Sequence, residues 1–122
     1  MTASNFLENA WLNTLRGTAF SVAGTWVKLH LGNPGEDCTG SPAAETTRRP
    51  VTFAAASAGT MASSAAVTWT SVSTTETYSH FSVWSALTGG NPLGYGALTS
   101  SKAITAGDDA TFPLGLLTWS VN

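Results

Sequence analysis

Charge is scarce in this sequence of 122 residues. Only 10% of the residues are charged, against a usual share of about 25%. Nucleic-acid recognition depends on clustered Lys and Arg side chains that neutralise phosphates, and Arg48 and Arg49 are the only adjacent basic pair. We therefore expect no nucleic-acid partner.

Cysteine and long apolar runs are also nearly absent. Cys38 is the single cysteine, so an intrachain disulfide is impossible. The opening stretch, MTASNFLENAWLNTLRG, contains neither a basic leader nor an apolar run long enough to span a bilayer. We expect no association with a membrane and assembly in a cytoplasm.

Side chains that perform catalysis or bind metals are few. His30 and His80 occupy polar positions of predicted strands, where a surface or interface histidine is commoner than a catalytic pair. Cys38 follows two acidic residues, which raise the pKa of a thiol and weaken it as a nucleophile. Two adjacent acids cannot easily face one ion, and the acids considered as metal ligands are Glu36, Asp37, Asp108 and Asp109. We expect no enzyme activity, no cofactor and no metal.

The N-terminus does contain a helical pattern. Ser4 or Thr2 can cap its start, and Gly17 can end it in the left-handed conformation. We predict a helix over residues 1–17, and we expect that removal of residues 1–16 leaves the β-domain folded but weakens its attachment to other subunits. The apolar stripe that repeats at three- and four-residue steps consists of Phe6, Leu7, Ala10, Trp11, Thr14 and Leu15.

Alternating apolar and polar residues predict that residues 25–122 are β-structure. The glycines of TGGN, residues 88–91, predict a hairpin turn after the central strand, and Pro113 predicts that the last strand either lies at an edge or has a break in its pairing. We predict one domain over 1–122, mainly β, an antiparallel β-sandwich or jelly-roll-like fold with a short N-terminal α-helix. The predicted strands are 25–32, 51–57, a short one near Met61, 66–70, the central strand 77–87, 92–98, 102–105 and 110–122.

Five tryptophans in a chain of this length are a large aromatic load. Trp11, on the helix stripe, and Trp69, beside Val67, are predicted to lie in the core. Trp26 and Trp84 fall on the strand faces opposite the aliphatic side chains, which leaves three alternatives: a second core layer, an oligomer interface or a sugar-stacking surface.

The stretch 32–50 is rich in glycine, proline and small polar residues and predicts a long loop. Loops of this length are uncommon unless they have a role, so this one is either an irregular surface loop or an arm that orders on a neighbouring subunit. In the second case, the arginines at its end could pair with acids of that subunit. The candidate interface residues are Trp26, Trp84, His80, Tyr95, Arg48 and Arg49.

The stretch VWSALTGGNPLGYGALTSSKAITAGDDATFPLG resembles a family of small tailed-bacteriophage virion proteins, described variously as tail fibre, minor tail or head decoration proteins. The segments WVKLHLGNPGEDCTG and RRPVTFAAASAGTMASSAAVTW follow the order of the same family, so the resemblance covers most of the chain. The pattern consists of turns and apolar strands and carries no reaction with it.

The resemblance implies a non-enzymatic structural protein of the virion. We expect a capsid decoration protein that binds and stabilises the assembled shell as a homotrimer, with the major capsid protein or tail proteins of the same virion as partners. The alternatives are a tail-tip, collar or tail-fibre component, and a module that binds host glycans.

Overall fold

A computed structural model describes residues 1–121 and contains nine strands and one helix in that range. All strand pairs are antiparallel, and the predicted fold class, mainly β with one short N-terminal α-helix, is confirmed. No helix within residues 1–121 is long and apolar enough to cross a membrane. In chain order the elements are β1 (Thr2–Ala3), α1 (Asn5–Thr14), β2 (Trp26–His30), β3 (Arg49–Pro50), β4 (Thr60–Ala62), β5 (Val67–Trp69), β6 (Glu76–Trp84), β7 (Pro92–Ile104), β8 (Ala110–Phe112) and β9 (Thr118–Ser120).

Five strands form the main sheet, in the order β1-β7-β6-β2-β3. β6 lies at its centre, as the sequence predicts, because it pairs with β7 through the TGGN turn and with β2 on its other side. Gly89 and Gly90 supply the positive φ angles of 63° and 71° that this hairpin turn needs. The predicted strands 92–98 and 102–105 are parts of one strand, β7.

The core lies on one face of this sheet. Val27 pairs with Val83 and Leu29 pairs with Phe81, so these four buried side chains point the same way. The ladder of β5 with β8 covers this face, since the ring of Phe112 lies 6.4 Å from that of Phe81. The two layers give the sandwich its interior.

The last predicted strand, 110–122, is divided in two. β8 pairs with β5 and β9 pairs with β4, and the break begins at Pro113, as predicted. Trp119 on β9 is buried against β7, where Gly94 leaves the space that its indole ring occupies. The predicted strand 51–57 is wrong, because this segment contains only isolated bridges, Phe53 to Ser63 and Ser57 to Thr60.

The N-terminal segment belongs to the domain. The Ser4 hydroxyl caps α1 by accepting from the Leu7 amide at 3.2 Å and donates to the Pro92 carbonyl at 2.6 Å. β1 pairs with β7, and Leu7 joins the core. The helix, Asn5–Thr14, is shorter than the predicted range 1–17. Thr2 and Ala3 form the edge strand β1 of the main sheet, which argues against the expectation that residues 1–16 can be removed with the β-domain left folded.

Candidate interaction surfaces

Four of the six predicted interface residues lie on one face of the main sheet. Trp26 on β2 pairs with Trp84 on β6, and Tyr95 on β7 pairs with Ser82, the position between Trp84 and His80 on the same side of β6. This face is opposite to the core face described above. The alternation of residues in the sequence thus placed these side chains on the same face of the sheet, although it left open what covers that face.

Loop 32–50 covers much of this face. Cys38 of the loop is buried and its thiol lies 3.4 Å from the Gly94 carbonyl of β7, while the Leu31 amide donates to the Ser41 carbonyl of the loop at 2.8 Å. The loop is thus ordered on its own sheet, whereas the sequence left open an irregular surface loop or an arm that orders on a neighbouring subunit. Of the three alternatives for the tryptophans, the structure favours a second core layer for Trp84, which is only 7% exposed.

A buried chain of hydrogen bonds fastens the loop to the sheet. The indole N–H of Trp84 donates to the Ser82 hydroxyl at 2.8 Å, and that hydroxyl lies 2.7 Å from His30 Nε2. His30 Nδ1 lies 2.7 Å from the Gly40 carbonyl, which can only accept, so Nδ1 carries the proton and Nε2 accepts from Ser82. Every donor and acceptor in this chain of hydrogen bonds has a partner when the His30 imidazole is neutral. The prediction that His30 is a surface or interface residue is wrong, since its side chain is fully buried.

The pKa of His30 follows from this position. Burial lowers it below its ordinary value, and the nearby positive charge of Lys28 acts in the same direction, while the bond to the Gly40 carbonyl opposes both. The imidazole is therefore held neutral as part of the fold. Its two nitrogens are both occupied, so it is not available as an acid or base toward a substrate.

Arg48 closes the loop over the tryptophan. Its guanidinium lies 4.1 Å from the centre of the Trp84 ring, and Nη1 donates to the Ala86 and Gly89 carbonyls at 2.8 and 2.7 Å. Arg48 therefore binds the β6–β7 turn of its own chain, and this differs from the predicted pairing with acids of a neighbour.

The other predicted residues make contacts of their own. Arg49 pairs with Val27, which places it on the opposite face from Arg48, and its Nε is buried without a hydrogen-bond partner. The Tyr95 hydroxyl donates to the Glu36 carboxylate at 3.1 Å. The half-buried His80 lies 2.8 Å from the Ser79 hydroxyl.

Cys38 is an inert thiol. Burial raises its pKa to about 12, and the neighbouring Asp37 and Glu36 add to the rise. Within residues 1–121, no three His, Cys, Asp or Glu side chains come close enough to hold a metal ion.

A second surface was missed by the sequence analysis. It lies along α1 and the end of β9, and we call it the α1 surface. Trp11 was predicted to lie in the core, but it is partly exposed here, and Leu12 and Leu15 are 63% and 85% exposed. The exposed apolar side chains of the α1 surface are Phe6, Trp11, Leu12, Leu15, Val22 and Val121.

The α1 surface is built on an aromatic support. Trp119 packs edge-on against Trp11 at 6.3 Å and against Phe53 at 6.5 Å between ring centres. Phe6 packs in the same manner against Phe20 at 6.1 Å. These contacts hold large rings at the surface in fixed positions.

Two hollows open on either side of Trp11. One, of about 370 Å³, is lined almost entirely by apolar side chains, among them Phe20, Val22, Met61 and Trp119. The other, of about 620 Å³, is lined by the N-terminal residues 1–3 together with Glu8, Leu12 and Leu15. Trp11 and Val121 line both hollows, so the two form one continuous concave surface.

A signal for this surface was present in the sequence. Leu12 directly follows Trp11 in the sequence. At 100° per residue, the apolar side chains between Phe6 and Leu12 therefore span an arc of about 240° around the helix. A short helix can bury only part of such an arc against a sheet. Leu7 alone is buried, and the remaining apolar side chains are left toward solvent.

Comparison with known proteins gives one informative result. A family model described as "Podophage GP4 fiber I protein gp80" matches residues 2–120. A search of curated proteins finds no match.

Proposed function

Because the chain belongs to the family described as Podophage GP4 fiber I protein gp80, which matches residues 2–120, we propose that it is a structural subunit of the phage tail fibre. The family confirms the predicted resemblance to tailed-phage virion proteins, and a phage virion component is what it supports. The finer role as a fibre subunit fits the family description better than the capsid decoration role expected from the sequence. Its task is to bind other protein subunits, without catalysis.

The α1 surface is the observation that carries this proposal. Six exposed apolar side chains gather around one helix in a chain with little charge, although such side chains are usually scattered on a monomer. A concave apolar area with rigid aromatic rings at its centre has the anatomy of a protein–protein interface. We infer that this surface, rather than the loop-covered face of the sheet, makes the main contact with other subunits.

Recognition of host glycans is less well supported. Sugar stacking needs exposed aromatic rings, but the face of Trp84 is covered by Arg48. The rings of Trp11 and Trp119 pack edge-on against each other, and the 370 Å³ hollow that both line contains no amide or carboxylate side chain to bind sugar hydroxyls.

Capsid decoration is the second candidate. A fibre shaft is built from repeats, and this sequence has no internal repeat, so a compact cap that binds a shell is compatible with it. A cap that binds only the assembled shell stabilises it by mass action. The major capsid protein would be its partner in that case, and tail proteins would be its partners in a fibre. The homotrimer stays a prediction.

Counting copies in purified particles tests both candidates. Quantitative mass spectrometry of the virion, calibrated on the major capsid protein, is expected to find a small number of copies per particle, as a single tail allows. Hundreds of copies would identify a shell protein and overturn the fibre assignment. Absence of the chain from particles would overturn both.

A further inference from the structure

We propose that Lys28 and Arg48 form a carboxylate-binding site on the loop-covered face of the main sheet, and that an Asp or Glu side chain of another virion protein occupies it. The site lies apart from the α1 surface. It rests on the proposed function for the identity of the partner, whereas the carboxylate chemistry follows from the two residues themselves. Its observations are the donors that Arg48 leaves open, the position of Lys28 and the charges around them.

Arg48 holds a guanidinium that is already fixed in place. It stacks on the Trp84 ring at 4.1 Å, and its Nη1 donates to the Ala86 and Gly89 carbonyls. These two bonds use both hydrogens of Nη1, so the Nε–H and the two Nη2–H groups remain. The Nε–H and one Nη2–H point in parallel from the same edge of the guanidinium, and this fork binds the two oxygens of a carboxylate.

The open edge of Arg48 reaches solvent. Within residues 1–121, the buried side-chain polar atoms without a hydrogen-bond partner are Arg49 Nε and the Tyr78 hydroxyl, and no atom of Arg48 or Lys28 is among them. Arg48 is nonetheless half-buried, so a carboxylate bound there is partly shielded from water. Because the stacking and the bonds to the turn already restrict the side chain, binding costs little further conformational entropy.

Lys28 places a second cation near this edge. It lies two positions after Trp26 on β2 and pairs with Ser82, so its side chain leaves the same face of the sheet as Trp84. Burial lowers the pKa of the half-buried Lys28 below its ordinary value, and the charge of Arg48 lowers it further. The effect of Arg48 requires the two charges to lie close together.

The charge of this face has no complement within residues 1–121. No acidic group raises the pKa of Lys28 or of Arg48, and burial lowers that of Arg48. Glu36 of the covering loop accepts a hydrogen bond from the Tyr95 hydroxyl instead. Two like charges held close together on a partly buried face repel each other, so an anion from another molecule is bound by both.

A carboxylate matches the site better than a phosphate does. Its two oxygens fit the open fork of Arg48, and its single charge is offset by the guanidinium while Lys28 adds a second attraction. Phosphate backbones are bound by larger clusters of Lys and Arg than this pair. Carboxylates are also the anionic side chains of proteins, and the proposed function makes a protein the partner.

Sodium acetate is the probe for the site in the purified full chain. The NMR signal of the Arg48 Nε–H is expected to shift saturably with acetate at constant ionic strength, and sodium chloride should not reproduce this shift. Lys28→Gln should weaken acetate binding by at least about threefold, because it removes the second charge. Lys28→Arg keeps the charge and should retain the binding.

Lys102→Gln is the matched control for Lys28→Gln. Lys102 is also half-buried on a strand of the main sheet, but it pairs with Tyr78, four positions along β6 from Ser82. This variant loses the same charge and should bind acetate as the wild type does. The backbone amide spectrum shows whether each variant is folded, and Lys28→Met replaces Lys28→Gln if that variant is not.

Carbodiimide treatment of purified particles tests the partner. The reagent condenses a lysine amine with a carboxylate in contact with it, so Lys28 is expected to form an amide with an Asp or Glu of another virion protein. Mass spectrometry of the digested particles identifies the joined peptides. Lys102, the only other lysine in the chain, is the internal reference and should give a lower yield.

Several results would overturn the proposal. They are an acetate shift that chloride reproduces, phosphate bound in preference to acetate, Lys28→Gln that binds acetate as the wild type does, and a cross-link of Lys28 only to acids of this same chain or in no greater yield than Lys102. Tighter binding of a glucuronic acid oligosaccharide than of acetate would identify an acidic glycan as the ligand and refute the protein partner.

The copy count separates this proposal from the proposed function. A chain present in a few copies per particle without a cross-link at Lys28 would refute the site and leave the fibre role standing. A chain present in hundreds of copies with the cross-link would refute the fibre role and leave the site standing. Absence of the chain from particles would refute both the fibre role and the virion partner.

Discussion

At the scale of single residues, the structure depends on a few polar groups placed inside an apolar chain. The Trp84–Ser82–His30–Gly40 series satisfies every donor and acceptor with a neutral imidazole. A protonated His30 would donate through both nitrogens. The Ser82 hydroxyl would then accept from both Trp84 and His30, and its own hydrogen would lose its acceptor.

This geometry predicts a stability that falls on acidification. The pKa of His30 is lowered in the folded chain, so the unfolded chain binds the proton first as the pH falls. The stabilisation is therefore fully present above the pKa that His30 has in the unfolded chain, and it is lost as the pH falls through the pKa of the folded chain. Urea unfolding is expected to show a free energy of unfolding that declines below about pH 6.5, the ordinary pKa of a histidine side chain. The positive charge of the nearby Lys28 adds to the effect.

His30→Gln is the informative variant, since its amide can donate to Gly40 and accept from Ser82 but cannot titrate. It should cost about 1–3 kcal/mol at neutral pH, and its stability should change less between pH 7 and pH 5 than that of the wild type. His80→Gln is the control and should keep the decline. An unchanged decline in His30→Gln would show that another group causes it.

The two glycines that flank Tyr95 provide a second residue-scale prediction. A Cβ at Gly94 would lie 2.3 Å from the Trp119 ring and 2.7 Å from the Thr2 carbonyl oxygen, whereas one at Gly96 would lie 3.1 Å from the Phe81 ring and 3.2 Å from the Met1 side chain. Gly94→Ala should therefore destabilise the fold by about 2 kcal/mol or more, and Gly96→Ala should cost less. Chemical denaturation of both variants measures the difference, and equal costs would contradict the close approach of β9 to β7.

At the scale of elements, the loop 32–50 and the helix α1 both differ from their sequence predictions in which apolar side chains they bury. The loop seals one face of the sheet and brings Arg48 to the β6–β7 turn. The helix contributes Leu7 to the core and leaves Trp11 and two leucines at the surface. The loop, for which an arm was one alternative, is part of the domain, and Trp11, which was predicted to lie in the core, is part of the exposed apolar surface.

The clamp at the end of the loop can be tested directly. Arg48→Ala removes the stacking on Trp84 and two hydrogen bonds, and it should destabilise the fold by about 1–2 kcal/mol. Arg48→Lys should recover only part of this, because an ammonium lacks the planar guanidinium fork. Hydrogen exchange should rise in the loop and in the turn at residues 86–89, and unchanged protection there in Arg48→Ala would contradict the clamp.

At the scale of the whole molecule, distant parts of the chain meet at one side of the sandwich. β1 pairs with β7, the N-terminal amine donates to the Thr118 carbonyl at 2.7 Å, and Gly94 admits the ring of Trp119. The N-terminal segment, the middle of β7 and β9 are therefore held together. The α1 surface rests on that junction, so its geometry depends on all three.

Deletion of residues 1–16 should consequently unfold or strongly destabilise the domain. It removes β1, the buried Ser4 and Leu7, and it uncovers apolar surface of Leu93 and Trp119. The near-UV circular dichroism of the tryptophans and a cooperative thermal transition are the measurements, and both are expected to be lost or greatly reduced. The Leu12→Lys chain is the control, because it alters the same helix only at its surface. A truncated chain with an unchanged transition would show that α1 is an independent attachment.

Residue pattern alone determined much of this protein. The period of two in residues 25–32 and 77–87, the TGGN turn and Pro113 specify strands, a hairpin and a break, because each acts through local backbone geometry. The resemblance that the turn-and-strand motifs carry implied a virion protein, in agreement with the family to which the chain belongs.

Only the tertiary structure decided what covers each apolar face. Trp84 is buried because loop 32–50 folds back on the sheet. Trp11 is partly exposed because a ten-residue helix can bury only one side of its apolar arc. The burial of His30 depends on Gly40 and Ser82, which lie 10 and 52 positions away in the chain. Such contacts depend on how the elements pack together, and the periodicity of any one element does not encode them.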